Sequence, residues 1–184
     1  MKDRFSSLRK ARHAGFSLIE LGAVLAIASI MLTIGVPSFR SLIQSQRITT
    51  VTNEFFVAIN LTRAEALQRG GRVDLVPKDV AGDWSKGWVV FVDENNNQRP
   101  DAGERLIFSH DSVSKGFSIA ASLTDSKVQY LAYDGSGRSR TNASGEQTQF
   151  GTLTFKLDDQ VRKIKLNFLG RPRICNPATD PSTC

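Results

Sequence analysis

Five cations lie close together near the end of the chain, in a stretch that contains no acid. They are Arg162, Lys163, Lys165, Arg171 and Arg173. The planar guanidinium group of arginine suits phosphate oxygens, and a fixed pair of cations can follow a nucleic-acid backbone without reading its bases. In an extended chain, residues two apart face the same side. Lys163 should therefore share a face with Lys165, and Arg171 with Arg173 if the chain stays extended around Pro172.

Two interpretations of these cations stay open from the residues alone. They form a surface that binds phosphate groups, which Arg138 and Arg140 could extend if the fold brings them close. Alternatively, they form a solvated face that keeps a β-rich domain soluble, with the arginines paired to acids elsewhere in the same region. Those acids are Asp158, Asp159 and Asp180.

Residues that commonly carry catalysis are scarce. The chain has two histidines, His13 and His110, and no serine or cysteine nucleophile stands visibly next to a base. Residues 135–139, GSGRS, lack the lysine and the helix of a phosphate loop. The sequence therefore predicts neither an enzyme nor a cofactor.

The segment 93–104, DENNNQRPDAGE, has the side-chain spacing of a calcium loop at several positions. The matching residues are Asp93, Asn95, Asn97, Asp101 and Glu104. The match is incomplete because Gln98 stands where the turn needs glycine, Pro100 follows it, and the flanking segments read as strands. We therefore expect a polar hairpin loop and no metal site.

Both cysteines, Cys175 and Cys184, lie within the last ten residues. In an exported protein this arrangement favours a small disulfide loop over a metal site, which would need more ligands. Two free thiols are the alternative, and they would be expected of a cytosolic protein.

The N-terminal region combines a basic leader with a long apolar stretch. Four of the six net positive charges lie in the first 15 residues, so the rest of the chain is only about +2. Residues 16–36 contain one charge, Glu20, and as a helix they would be roughly 30 Å long, enough to cross a membrane. The leader would then lie in the cytoplasm. A carboxylate within a bilayer costs at least ~2.5 kcal/mol, so Glu20 is either functional or an incidental acid in a stop-transfer helix.

The segment Gly15-Phe16-Ser17-Leu18-Ile19-Glu20 resembles the prepilin peptidase motif of type IV pilins and type II secretion pseudopilins. Pro37 matches the proline that often kinks the pilin helix. The resemblance implies cleavage after Gly15, N-methylation of Phe16, and pairing of Glu20 with the terminal ammonium of a neighbouring subunit. It implies prepilin peptidase and other pilins, major and minor, as partners. It also implies a single-pass protein of the bacterial inner membrane with a periplasmic head, reaching the cell surface when assembled in a pilus.

Beyond Pro37 the helical pattern continues to about Arg69, where Gly70 and Gly71 end it. One apolar stripe recurs at spacings of three and four: Ile48, Val51, Phe55, Ile59, Thr62 and Ala66. Short β-type runs follow, separated by turn residues, at 73–76, 88–92, 106–108, 117–121, 128–133, 153–157 and 164–168. We expect an antiparallel sheet that packs on the stripe.

Residues 84–95, WSKGWVVFVDEN, together with Thr62-Arg63-Ala64-Glu65-Ala66, resemble the GspH/FimT group of minor pilins and pseudopilins. The resemblance implies an α+β, type IV pilin-like fold, in which a long N-terminal helix packs on an antiparallel β-sheet head. The expected segments are a cleaved leader (1–15), a transmembrane and assembly helix (16–37), the amphipathic half of the helix (38–71), and a β-rich periplasmic head (72–184).

Gly170-Arg171-Pro172-Arg173 also resembles the GRxR motif of the FimT minor pilins, which bind DNA during natural transformation. This resemblance implies a minor pilin that binds extracellular double-stranded DNA non-specifically through its C-terminal arginines. The alternative is a minor pilin or pseudopilin that primes pilus or type II secretion filament assembly and binds no DNA. Both share every N-terminal feature, so the sequence leaves both open.

Overall fold

The structure is a computed structural model, and it describes Gly15, residues 17–142 and residues 147–184. The predicted leader, apart from Gly15, and the predicted methylation site Phe16 lie outside the described residues. The chain divides between Ser41 and Leu42 into two compact units, which we describe separately.

The first unit contains the beginning of helix α1, Leu18–Arg69. Ser17 and Glu20 form a capping box at its start: the Ser17 amide donates to Glu20 Oε2 (2.9 Å), and the Glu20 amide donates to Ser17 Oγ (3.2 Å). Large apolar side chains that follow, such as Leu21, Leu25 and Ile30, are exposed, and the stretch is long and apolar enough to cross a membrane. Pro37 lies inside α1, where it removes one backbone hydrogen bond.

The second unit begins with the amphipathic half of α1. The predicted stripe faces the core, since Ile48, Phe55, Ile59, Thr62 and Ala66 are fully buried. The helix ends at Arg69, and Gly70 follows with a φ of +63°. This left-handed conformation is the usual glycine C-cap, so the predicted end of the helix is confirmed.

The strands of the second unit form two antiparallel sheets. They are β1 Val73–Pro77, β2 Trp88–Phe91, β3 Leu106–His110, β4 Phe117–Leu123, β5 Leu131–Tyr133, β6 Ser139–Arg140, β7 Gly151–Leu157, β8 Gln160–Leu166 and β9 Pro172–Cys175. The first sheet has the order β3-β2-β1-β5-β6 and the second has the order β4-β7-β8-β9. A short 3-10 helix, Trp84–Lys86, precedes β2.

The sequence predicts one sheet, and the structure has two. Two strands, β6 and β9, also lie outside the predicted runs. β9 begins at Pro172, which cannot donate a backbone hydrogen bond to a neighbouring strand and therefore argues against a strand in the sequence. It is tolerated because it is the first residue of an edge strand. The predicted run at 164–168 instead spans residues 160–166, because a turn begins at Asn167.

Both sheets pack on the same face of α1. The Phe55 ring lies 4.9 Å from the Trp88 ring of the first sheet and 5.4 Å from the Phe155 ring of the second sheet, measured between centroids. Every buried apolar side chain in the described part of the chain belongs to the second unit. This unit therefore has its own core, and it should fold without the first.

Candidate nucleic-acid interface

The side of the second sheet that faces away from the core carries the cations of β8 and β9. Inward positions such as Leu153, Ile164 and Leu166 are buried, so the alternate positions point outward. Lys165 lies directly opposite Arg173 in the ladder, and Thr152 of β7 lies opposite Lys165 on the other side. Lys163 and Lys165 share this outward face, as the alternation predicts. We call these outward positions of β4, β7, β8 and β9 the outer face.

The register adds a cation that sequence reasoning missed. Lys156 of β7 is also outward, and it lies diagonal to Lys163 because Thr154 is the residue opposite Lys163. Diagonal neighbours are about 7–8 Å apart. The outer face of these four strands holds four cations and no acid: Lys156, Lys163, Lys165 and Arg173. Its other side chains are mostly small or hydroxylated, which leaves room for a backbone of phosphates.

Arg171 follows a rigid turn between β8 and β9. The Asn167 Oδ1 atom accepts hydrogen bonds from the Leu169 amide (3.0 Å) and the Arg171 amide (2.9 Å). The Gly170 amide donates to the Asn167 carbonyl (2.9 Å). The Arg171 guanidinium is exposed and makes no hydrogen bond or ion pair with the described residues. The turn therefore fixes the backbone and leaves all its guanidinium donors available.

Gly170 anchors this turn on the first sheet. The Tyr133 hydroxyl, in β5, donates to the Gly170 carbonyl at 2.6 Å. Gly170 has a φ of +73°, and a Cβ atom there would lie 2.7 Å from the Ser139 amide nitrogen and 2.8 Å from Tyr133 Cε1. Only glycine fits both the conformation and the space. The glycine of the Gly170-Arg171-Pro172-Arg173 motif is thus a requirement of packing, and it places Arg171 beside the outer face.

The C-terminal segment closes over two of the cations. Cys175 and Cys184 form the expected disulfide, with their Cα atoms 5.6 Å apart. The Thr183 carbonyl accepts from Lys165 Nζ (3.1 Å) and from the Arg173 guanidinium, and Thr183 Oγ1 accepts from Arg173 Nη1 (3.0 Å). Lys165 and Arg173 are therefore held in place by neutral oxygens, while Arg171 is not.

A shallow groove of about 460 Å³ lies where the outer face meets the turn. It is lined by Phe150, Gly151, Thr152, Lys165, Leu166, Asn167, Arg171 and Arg173. Three of these residues are cations, and none is an acid. No ion pair joins the motif arginines to Asp158, Asp159 or Asp180 in the described part of the chain. Direct pairing with these acids is therefore not found among the described residues, and Asp180 is linked to Arg173 through the Thr183 hydroxyl, which accepts from Arg173 and donates to the Asp180 carboxylate.

The other predicted cations lie elsewhere. Arg162 points toward α1, where its Nη2 donates to Ser45 Oγ (3.0 Å), so it is not on the outer face. Arg140 Nε donates to Asp134 Oδ2 (2.7 Å). Burial raises the pKa of Asp134, but hydrogen bonds from Ser136 and Arg140 outweigh it and hold the pKa below its usual value. Arg138 is exposed and adjoins Ser139, whose backbone packs against Gly170. The fold thus brings Arg138, and not Arg162, close to the turn.

The segment 93–104 connects β2 to β3, and hydrogen bonds within it occupy several of its carboxylates. Asp93 accepts from the amides of Asn97 (3.2 Å) and Gln98 (3.0 Å), and Asp101 accepts from the side-chain amides of Asn95 (2.8 Å) and Asn97 (2.6 Å). Among the described residues, no group of three His, Cys, Asp or Glu side chains could hold a metal ion.

The half-buried Arg72 and the buried Asp74 and Asp93 form a charge cluster that joins this segment to β1. Arg72 Nε and Nη2 donate to the two carboxylate oxygens of Asp74 (2.9 and 3.0 Å), and Arg72 Nε lies 3.9 Å from Asp93 Oδ2. The pKa of Asp74 is raised to about 7, because burial and the nearby Asp93 raise it by more than Arg72 lowers it. A carboxyl in this position can exchange a proton near neutral pH.

Comparisons with known proteins agree with the architecture. A family model described as type II transport protein GspH matches residues 51–170. The pilin-like protein PilA1 of Thermus thermophilus is 33% identical over 98 residues, which are 52% of this chain and 58% of that protein. The chain thus matches little more than half the length of this relative.

Two solved structures share the fold. The type IV minor pilin FimU of Pseudomonas aeruginosa aligns with a TM-score of 0.58 at 15% identity, over 72% of this chain and 91% of FimU. The minor pseudopilin EpsH of the Vibrio cholerae type 2 secretion system aligns with a TM-score of 0.52 at 14% identity, over 71% of this chain and 98% of EpsH. These similarities confirm the predicted pilin-like fold, a long N-terminal helix followed by antiparallel sheet.

Proposed function

The chain belongs to the GspH family of minor pilins and pseudopilins, and from its basic outer face and turn we propose that it binds extracellular double-stranded DNA non-specifically for uptake in natural transformation. Members of this group are structural proteins and not enzymes. The observation that carries the proposal is the position of Arg171. A rigid turn fixes its backbone, its guanidinium has no partner among the described residues, and it lies beside the acid-free outer face.

The proposed contacts are to phosphate oxygens. Arg171 and Arg173 bind at the groove, and Lys165, Lys163 and Lys156 continue the line of positive charge across the sheet. Contacts of this kind fix the position of a duplex but carry no sequence information. The affinity per subunit should be modest, and its logarithm should fall linearly with the logarithm of salt concentration.

Mobility shift with a fragment of residues 43–184 tests this proposal. Arg171→Gln combined with Arg173→Gln should abolish the shift of a duplex at moderate salt while the fragment stays folded. The matched control is Arg99→Gln with Arg105→Gln, which removes two exposed arginines elsewhere and should shift DNA nearly as the parent does. If the first variant binds as well as the parent, the assignment of the site is wrong.

Single substitutions measure how much each cation contributes to DNA binding. Lys156→Gln removes one proposed phosphate contact, so it should weaken binding for every sequence and reduce the magnitude of the salt slope by about one. Arg162→Gln removes the same charge from the inward side, where it contacts Ser45, and should change the slope much less. Equal effects of the two would mean that overall charge, and not the outer face, attracts the DNA.

The route to the cell surface is part of the proposal. Prepilin peptidase cleaves after Gly15 and methylates Phe16, Glu20 pairs with the terminal ammonium of a neighbouring pilin, and the protein resides in the inner membrane before assembly. The motif from Gly15 to Glu20 and the exposed apolar part of α1 support this.

A second candidate function is priming of a pilus or secretion filament without any binding of DNA. The fold similarity to EpsH favours it. Deletion of the gene separates the two: loss of pili or of secretion supports the primer, whereas normal pili with lost DNA uptake supports the DNA receptor.

A further inference from the structure

An exposed aromatic ring lies at the basic groove. Phe150 directly precedes β7, its side chain is 49% exposed, and it lines the groove together with Lys165, Arg171 and Arg173. Phe168, in the turn before Arg171, is 67% exposed. Phenylalanine is usually buried, because exposing its ring to water is unfavourable. The exposed Phe150 ring beside three cations therefore suggests a ligand that has both a negative charge and a flat apolar surface.

The backbone that carries Phe150 is held firmly. The Phe150 amide donates to Thr124 Oγ1 (3.2 Å), and the Thr124 amide donates to the Phe150 carbonyl (2.9 Å). Gly151 follows with a φ of +146°, and a Cβ there would lie 2.1 Å from the Ser122 carbonyl oxygen. The attachment point of the ring is thus fixed next to the groove before any ligand arrives, which lowers the ordering cost of binding.

We infer that Phe150 stacks on an unpaired base of a DNA strand whose phosphates contact Lys165, Arg171 and Arg173. The site therefore prefers DNA with a single-stranded segment over a fully paired duplex. Within a duplex, each base face is covered by its neighbours, and the ring has no partner. In a single strand, aromatic side chains stack on any base, and this contact adds to the attraction of the cations for phosphate.

This inference rests on the proposed function, since the same cations hold the strand. It adds the class of ligand, DNA with unpaired bases. It also adds a residue, Phe150, that contacts the base and not the backbone. A minor pilin built in this way would hold the single-stranded tails of DNA fragments more tightly than their paired interiors.

Three DNA probes with the same duplex part test the inference. One is blunt, one carries a thymidine tail, and one carries a tail of equal length made of abasic nucleotides. The fragment of residues 43–184 should bind the thymidine-tailed probe at least about fivefold more tightly than the blunt probe, because stacking of one base has that effect or a larger one. The abasic tail adds phosphates but no bases, so it should fall well short of the thymidine tail.

Phe150→Leu tests the residue. Leucine keeps an apolar side chain of similar size but has no aromatic face, so this variant should lose the preference for the thymidine tail, measured as the ratio of its affinities for the tailed and the blunt probe. Phe108→Leu is the matched control, because Phe108 is an exposed ring on β3 that does not line this groove. It should keep the preference.

The outcomes separate the inference from the function on which it rests. Equal affinity of the parent for the blunt and thymidine-tailed probes overturns the inference, and so does an abasic tail that binds as tightly as thymidine. Both leave duplex binding standing, and neither depends on a variant that must fold. Failure of the parent to bind any probe overturns both the inference and the proposed function.

Discussion

At the scale of single residues, the pKa of the Asp74 carboxyl lies outside the ordinary range of an aspartic acid. It is fully buried beside the half-buried Arg72, and burial, offset in part by Arg72, leaves its pKa raised to about 7. In the unfolded chain an aspartic acid has a pKa near 4. Between these two values the folded state binds more protons than the unfolded state, so this group stabilises the fold at low pH and loses that contribution as the pH rises through about 7.

Asp74→Asn should remove this pH dependence. The parent fragment should lose up to about 1.4 kcal/mol of unfolding free energy per pH unit from this group between pH 5 and 7, whereas the asparagine variant should not. Urea unfolding at several pH values measures the difference. Asp159→Asn, which changes an exposed carboxylate, should keep the parent's profile. Parallel profiles for the parent and Asp74→Asn would contradict the raised pKa.

The sequence predicts some residues of the interface and misses others for a definite reason. Alternation within a strand is local, so the shared face of Lys163 and Lys165 follows from the sequence. The membership of Lys156 depends on which residues of β7 and β8 lie opposite each other, and a single sequence does not state that register. Arg171 and Arg173 look equivalent in the motif, yet the Arg173 guanidinium contacts Thr183, whereas the Arg171 guanidinium makes no hydrogen bond or ion pair with the described residues.

At the scale of elements, the turn between β8 and β9 connects the two sheets. The Tyr133 hydroxyl of the first sheet donates to the Gly170 carbonyl in this turn. The turn then determines where β9 begins. The strand that carries Arg173 and the turn that carries Arg171 are therefore placed by a contact with a residue almost forty positions earlier. Local residue propensities do not predict β9, because its position depends on this contact with a distant residue.

Gly170→Ala should destabilise the fragment more than Gly70→Ala does. Both glycines have a left-handed backbone, which costs alanine about 1–2 kcal/mol. A Cβ at Gly70 would meet open space, whereas at Gly170 it would meet Ser139 and Tyr133 at under 3.0 Å. We expect an additional cost of about 1–3 kcal/mol at Gly170, with weaker DNA binding because Arg171 moves. Equal costs in chemical denaturation would show that the turn yields without strain.

At the scale of the whole molecule, one helix serves two environments. Its first part is apolar and exposed in the described chain, and its second part contributes the buried stripe of a separate compact unit. Periodicity reveals this change of character, because a helix repeats every 3.6 residues whatever surrounds it. Periodicity does not reveal the number of sheets. That number depends on pairings between distant strands, and the sequence alone predicts only that the strands are antiparallel.

Mass spectrometry of the protein recovered from cells tests the processing. The mature form should begin at Phe16 and carry one additional methyl group, while Gly15→Val should accumulate at the unprocessed mass because the peptidase site is lost. A mature form that begins well past Val36 would contradict both the retained helix and the pilin-type assembly.

The position of Thr183 has a practical consequence for protein engineering. Thr183 holds Lys165 and Arg173, and Cys184 follows it directly. Any purification tag joined after Cys184 would emerge at the groove itself. An acidic epitope there would compete with nucleic acid for the cations, and a polyhistidine tail would itself bind nucleic acid when it is protonated, below about pH 6.5. Affinity measurements on this head therefore call for tags at the other end of the fragment.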